Sequence, residues 1–243
     1  MNNRFVIVVT QRDAAPFIKK CLDSILMQTY KNYVVIIMDD CSTDGTWEII
    51  KTYPFQVIHN DPKIPYPVKN IITATNVFAT EKEDIIVFLS GDDYLYSDDV
   101  LEYLNGVYQE DVWLTYGNFI RTSGQHGKGC FPIPDTNKYR KSGVWLASHL
   151  VTYKKKLWDK IDHKDLIYMD GNYPNHSFDC SILYPMIEMA GQKHLRFIDK
   201  VLYVYNDQNP VALEDYLKDK KACLRERAYW MSKPLYTELD DIK

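Results

Sequence analysis

Three short apolar runs, each cut off by a polar or acidic cluster, constrain this chain more than any other feature. Phe5 to Val9, Val34 to Met38 and Ile85 to Leu89 are continuous and rich in β-branched residues. Runs of this kind form strands buried on both faces, as in a parallel sheet covered by helices. Helical spacing separates them. Asp13 and Pro16 are placed to open a helix in which Phe17, Ile18, Cys21, Leu22, Ile25 and Leu26 recur on one side. Thr46 to Thr52 predicts a short helix, Phe55 to His59 a strand, and Val68 to Thr80 another helix, with a proline-rich loop over 60–67. This β-α-β-α-β rhythm predicts an α/β fold, a Rossmann-like and mostly parallel central sheet with helices on both faces. Such sheets bind ligands beyond the carboxyl ends of their strands. Three ends carry the clusters Thr10-Gln11-Arg12, Asp39-Asp40 and Gly91-Asp92-Asp93.

The rest of the chain is less regular. Ser97 has the character of an N-cap, with Asp98 and Asp99 in the first turn. Thr122 to Ser142 is rich in Gly, Pro, Asn and Lys and reads as a long mobile connection that could close over a ligand. Phe178 to Ala190 predicts a helix kinked by Pro185, followed by two strands, His194 to Ile198 and Val201 to Tyr205. Val211 to Trp230 carries both signs of charge, including Glu214, Asp215 and Lys218, as a solvated helix does. The 243 residues, 46% of them hydrophobic, suit one large domain. Within it, 1–96 reads as a ligand-binding half and 97–243 as a second half with a C-terminal helix.

Charge and cysteine usage exclude several classes. A net charge of -4 argues against a nucleic-acid partner, which needs a concentrated basic surface. The five cysteines are scattered and form no C-x-x-C pair, so neither a zinc site nor a disulfide framework is indicated. A reducing, cytoplasmic setting follows most simply. No apolar run approaches the roughly 20 residues of a membrane span, so the expectation is at most a peripheral membrane association.

Each candidate residue has a plain reading beside its chemical one. Asp92 and Asp93 repel each other by roughly 4 kcal/mol at 4 Å and an effective dielectric of 20. Water around an exposed turn relieves this, and so does a hard cation that also takes substrate phosphate oxygens. Asp39-Asp40 is either an Asx-type turn before the Thr46 helix or an acceptor for the imide N–H of a pyrimidine. Asp179 is either a first-turn carboxylate on the helix dipole or a general base. His149 reads first as a core or edge histidine and His176 as a loop residue; both are also candidates on an acceptor side.

The runs Val6 to Thr10, Cys21-Leu22-Asp23-Ser24-Ile25-Leu26-Met27-Gln28-Thr29-Tyr30 and Val35 to Thr46, the last containing Asp39-Asp40-Cys41-Ser42-Thr43-Asp44, resemble family 2 of the inverting glycosyltransferases. The likeness continues through Lys69-Asn70, Phe88 to Asp93, Asp179 and Leu202-Tyr203-Val204-Tyr205-Asn206. It implies a single GT-A domain transferring a sugar from a nucleotide sugar, UDP-linked, to a hydroxyl of a glycan, lipid-linked or protein acceptor. Carried over by position, Thr10, Arg12, Asp40, Lys69, Gly91 and Asp92 would line the nucleotide site. Asp40 would meet the uracil imide, Asp92 with Asp93 would hold Mn²⁺ or Mg²⁺, and Asp179 would be the catalytic base. Ser90 stands where the family has the first aspartate of its D-x-D motif. Arg12 lies near the place of a base-stacking aromatic, and its guanidinium plane can stack in its stead. A homodimer is compatible with the sequence. The alternatives are a non-catalytic glycan- or partner-binding member of the fold, and a sugar nucleotidyltransferase. The latter needs a glycine-rich phosphate loop that Thr10-Gln11-Arg12-Asp13-Ala14 lacks.

Overall fold

The computed structural model describes residues 2–64, 67–127 and 131–242, with the backbone alone over 211–218. The side chains of Glu214, Asp215 and Lys218, and residues Pro65 and 128–130, lie outside the described residues. The elements run β1 (Phe5–Gln11), α1 (Ile18–Leu26), β2 (Tyr33–Asp39), α2 (Thr46–Ile50), β3 (Gln56–His59), α3 (Pro67–Phe78), β4 (Ile85–Ser90), β5 (Tyr94–Leu95) and α4 (Val100–Val107). They continue with β6 (Leu114–Arg121), α5 (Thr136–Tyr139), β7 (Thr152–Lys154), α6 (Lys155–Trp158), α7 (Phe178–His194), β8 (Leu195–Tyr205) and α8 (Pro210–Ser232).

One sheet in the order β3-β2-β1-β4-β7-β6-β8-β5 spans the molecule. β3, β2, β1 and β4 are mutually parallel, as the apolar runs require, and β6 runs parallel to β8. β7 and β5 are antiparallel to their neighbours, so the sheet is mixed in its second half. Two hydrophobic clusters line its faces. Ile18, Cys21, Leu22 and Ile25 of α1 pack with Phe5, Ile7 and Val9, whereas Val68, Ile71 and Ile72 of α3 pack with Val6 and Val8. Alternate side chains of β1 therefore serve opposite layers. No helix among the described residues is long and apolar enough to cross a membrane.

Several local expectations are corrected, each for a physical reason. α1 begins at Ile18, because Asp13 takes a left-handed conformation (φ 49°) and its carboxylate accepts from the Thr43 N–H at 2.8 Å. That bond ties the loop after β1 to the loop after β2. Ser97 caps nothing; its hydroxyl donates to Asp99, and α4 starts at Val100. The capping role falls to buried Gln28, whose amide oxygen accepts from the Leu101 N–H while its amide nitrogen donates to the Ser24 and Ser97 carbonyls. Pro185 does not break α7; the non-helical residue is Gly191. The two strands expected after it are one, β8, whose pairing with β6 jumps from Ile198 to Val201 across a bulge.

The segment Thr122 to Ser142 is likewise more ordered than expected. Its latter part forms α5 and a 3₁₀ turn over Arg140–Ser142. Arg140 is buried, and its Nε and Nη2 each donate to Glu188 of α7 at 2.6 Å. A bidentate buried pair of this kind anchors the chain against opening. Residues 128–130, inside the same segment, lie outside the described residues.

Candidate active site

The parallel register brings the polar clusters together. Thr10 of β1 lies opposite Ser90 of β4, Gln11 opposite Asp39 of β2, and Asp39 opposite His59 of β3. Thr10, Arg12, Asp40, Gly91 and Asp92 thus share one carboxyl-end edge of the sheet. Gly91 is needed there, since a Cβ at this position would sit 2.4 Å from the Gln11 Cβ. Gly91→Ala is expected to destabilise the fold by about 1–3 kcal/mol, read as a lower urea midpoint at unchanged slope.

In the first acidic pair both members are buried, whereas in the second Asp93 is buried and Asp92 half-buried. Asp39 is fully buried, accepts from Gln11 Nε2 and from Ser42 Oγ, and meets His59 Nδ1. Asp40 Oδ1 instead accepts from the Ile64 N–H at 2.8 Å and from Asn60 Nδ2 at 3.2 Å. Asn60 also donates to Asn70, which joins this loop to the start of α3 beside Lys69. Lys69 is exposed, with its Nζ 5.7 Å from the Tyr173 ring centroid. Arg12 is exposed, its Nε 3.7 Å from Asp13.

Asp93 is the buried member of the second pair. Its Oδ1 accepts from the Asn206 N–H at 2.6 Å and its Oδ2 from the Tyr203 hydroxyl. Burial, with the Asp92 charge beside it, pushes its carboxyl up to about 7. Of the two carboxylates expected to face a cation, Asp93 is buried in the protein, bonded through both oxygens to residues of β8 and just beyond it. Asp92 is half-buried, held by Ser90 Oγ at 2.7 Å on Oδ1 and by Asn209 Nδ2 at 2.7 Å on Oδ2. The serine in the D-x-D position therefore orients the aspartate that remains. Among the described residues no group of three or more His, Cys, Asp or Glu could hold a metal. The donor set fits an ion that takes one carboxylate and completes its shell with phosphate oxygens and water, as Mg²⁺-type sites do.

A second feature adjoins this edge. Asp179, His149 and His176 line one cavity of about 210 Å³, walled by Phe88, Trp145 and Phe178. Phe88 of β4 meets Phe178 of α7 edge-on at 6.4 Å, which fixes the start of α7 against the strand carrying the acidic pair. Burial raises the Asp179 carboxyl to about 6, opposed by the Cys180 N–H it accepts at 2.9 Å and by the Arg227 charge. His149 stacks on Tyr203 at 4.6 Å and on Tyr205 at 5.8 Å, and burial lowers its imidazole to about 4 although the Asp92 charge pulls it upward. Near neutral pH, then, the cavity holds an ionised carboxylate and a neutral imidazole. Asp179 is the stronger base of the two. His176 lies at the rim, its Nε2 3.8 Å from Asp219.

Tyr203, Asn206 and Asn209 were not foreseen as site residues. Leu202-Tyr203-Val204-Tyr205-Asn206 is a motif of the sequence, but its job of holding Asp93 depends on β8 lying beside β5, a long-range pairing without local signal.

Residues 5–170 match the family described as "Glycosyl transferase family 2". The UDP-Glc:alpha-D-GlcNAc-diphosphoundecaprenol beta-1,3-glucosyltransferase WfaP of Escherichia coli is 32% identical over 137 residues, covering 55% of this chain and 53% of that one. Glycosyltransferase GlyA of Streptococcus pneumoniae is 25% identical over 142 residues, covering 58% and 20%. The chain thus spans from a fifth to about half the length of these two relatives. Among solved structures, S. aureus TarS 1-349 in complex with UDP-GlcNAc aligns with a TM-score of 0.63 at 16% identity, over 85% of this chain and 59% of that one. The mannosyltransferase PcManGT of Pyrobaculum calidifontis, in complex with GDP-Man and Mn2+, aligns with a TM-score of 0.61 at 17% identity, over 93% and 63%. These alignments show the fold, which is GT-A. With the family match covering well over half of the sequence, the chain belongs to glycosyltransferase family 2.

Proposed function

We propose that this chain transfers a sugar from a UDP-linked donor to a hydroxyl of a glycan or lipid-linked acceptor, with inversion at the anomeric carbon. The observation that carries this reading is the Asp179 cavity, walled by Phe88 of the strand that leads into Asp92. A base of suitable strength and an anionic strand end adjoin one another. The UDP assignment rests on WfaP, whose name specifies UDP-Glc, and on TarS, which has been solved with UDP-GlcNAc.

In this reading Thr10, Arg12 and Asp40 receive the nucleoside, with Asp40 accepting from the uracil imide N–H and Arg12 stacking on the base. Lys69 approaches the ribose or diphosphate. Asp92 is the residue that would hold a Mn²⁺ or Mg²⁺ ion, which when bound supplies positive charge to the departing diphosphate. Asp179 takes the proton of the acceptor hydroxyl as that oxygen bonds to the anomeric carbon. The bond from that carbon to the phosphate oxygen breaks on the opposite face, and UDP leaves with the electron pair. The aromatic walls exclude water that would otherwise compete as acceptor.

The test is incubation with UDP-Glc, UDP-GlcNAc, UDP-Gal and GDP-Man in the presence of Mn²⁺, following nucleoside diphosphate release. Slow release of UDP from at least one donor is expected. UDP with Mn²⁺ at about 100 times its dissociation constant should also stabilise the fold by about 2.7 kcal/mol, a rise of roughly 5–10 °C for a chain of this size. Neither release nor stabilisation by any nucleotide would instead favour a non-catalytic binding protein on the same scaffold.

A further inference from the structure

α8 reaches the segment that precedes the proposed base. Glu226, buried at 6% exposure, receives three consecutive backbone donors: Asn175 N–H at 3.2 Å on Oε1, and His176 N–H at 3.0 Å and Ser177 N–H at 2.9 Å on Oε2. The Ser177 hydroxyl adds a bond to the Cys223 carbonyl at 3.0 Å, one turn earlier on the same helix. Ser177 occupies the N-cap position of α7 but makes no side-chain cap bond. The Ser177 amide, at the helix start, lacks an intrahelical partner, and those of Asn175 and His176 precede the helix, so all three need acceptors from elsewhere. Here a carboxylate from a helix about 50 residues later supplies them, and two residues beyond Ser177 stands Asp179.

We propose that Glu226 is a positioning residue of the active site: it fixes segment 175–177 and so sets where Asp179 and His176 stand in their cavity. This rests on the reading of Asp179 as the base. The charge-assisted bonds to Glu226 are stronger than neutral ones, and all three act on one short stretch of chain. Two results follow. Residues beyond the family-matched 5–170 complete the site, and α8 is part of the catalytic apparatus rather than a solvated appendage. Neighbouring Arg227 strengthens the link: its Nη2 donates to the Gly143 carbonyl at 3.0 Å and its charge favours ionised Asp179.

The groups around Asp179 are Arg227, Asp219 and Cys223 from α8, His149 and His176 from the cavity wall and rim, and Cys180 beside it. None of them is altered in Glu226→Ala or Glu226→Gln, and both variants lose the Glu226 charge alike, so the difference between the two reports position rather than charge. The experiment therefore follows the Asp179 side-chain carboxyl by carbon-detected NMR titration in the full chain, and in parallel kcat with the donor that releases UDP. In Glu226→Ala, loosening of the segment should admit water and lower the Asp179 midpoint by about one pH unit toward the ordinary carboxyl value. kcat should fall about tenfold while UDP affinity stays within about twofold, the pattern of a lost positioning interaction. Glu226→Gln keeps the shape and one acceptor oxygen, so it should fall between, and it serves if the alanine variant does not fold. An unchanged midpoint and kcat in a variant that merely melts earlier would overturn the proposal. If Asp179→Asn kept its turnover while Glu226→Ala still moved the Asp179 midpoint, the base assignment would fail and the positioning role would stand.

Discussion

Asp179→Asn is expected to cut sugar transfer by about 10²–10⁴-fold, the usual contribution of a positioned general base, and to leave UDP affinity within about twofold. The amide keeps the size of the side chain and can still accept from the Cys180 N–H, but it cannot take a proton. The wild-type pH profile should show the same group. With the carboxyl raised to about 6, the free enzyme loses its base as pH falls through that value. kcat/KM should then drop about tenfold per unit below it and level off above. The linkage to stability has the opposite sign. A carboxyl whose folded pKa exceeds its unfolded value favours the folded state when protonated, so ionisation costs stability from about pH 4 up to about 6. At 1.36 kcal/mol per unit the cost is on the order of 3 kcal/mol. Asp179→Asn escapes it, and the inactive variant should be at least as stable at pH 7 as the parent. An inactive variant that was also much less stable would point to a structural carboxylate instead.

Asp92→Asn has the second large effect. In the proposed mechanism Asp92 would hold a cation against the donor diphosphate, so its loss is expected to lower transfer by about 10²–10³-fold, as when a preorganised electrostatic stabiliser is lost. Excess Mn²⁺ should not restore it, whereas parent protein stripped by a chelator should recover on adding the metal. The fold should not suffer. The Asp92 charge is one of the two influences that raise Asp93, so its removal eases a buried carboxyl already bonded to Tyr203 and Asn206. Asp93→Asn should behave differently, since an amide there places an N–H₂ against one of two existing donors. It should cost stability before it costs chemistry.

The parallel half of the fold was legible because its physics is local. Phe5 to Val9 is buried in full and Ile85 to Leu89 everywhere but at Phe88, and an unbroken apolar run has few other ways to be satisfied. Their polar ends meet at one edge because parallel register leaves them no choice. What was not legible depends on distant partners. Asp92 and Asp93 are adjacent in sequence, yet one faces the site and the other the interior, because β8 and the residues after it supply Tyr203, Asn206 and Asn209. Gln28 was noticed only as part of a motif, although it caps α4 from 73 residues away. Arg140, in a stretch whose composition resembles a loose connection, is pinned by Glu188. In each case a polar side chain serves a backbone or a charge that only tertiary structure brings near. His149 and His176 share the Asp179 cavity for the same reason, since neither spacing nor composition connects them.

In the proposed function the carboxyl-end edge of β1, β2 and β4 binds a nucleoside diphosphate with a cation shared between Asp92 and the phosphates. Calorimetric titration of UDP, with Mn²⁺ present and with chelator, tests it most directly. The predicted result is UDP binding that strengthens at least tenfold with Mn²⁺, is weakened by Asp92→Asn to the chelator level, and is accompanied by little Mn²⁺ binding without nucleotide, since one carboxylate makes a poor cage. Tight Mn²⁺ binding by the protein alone, or UDP affinity indifferent to both metal and Asp92, would contradict the account.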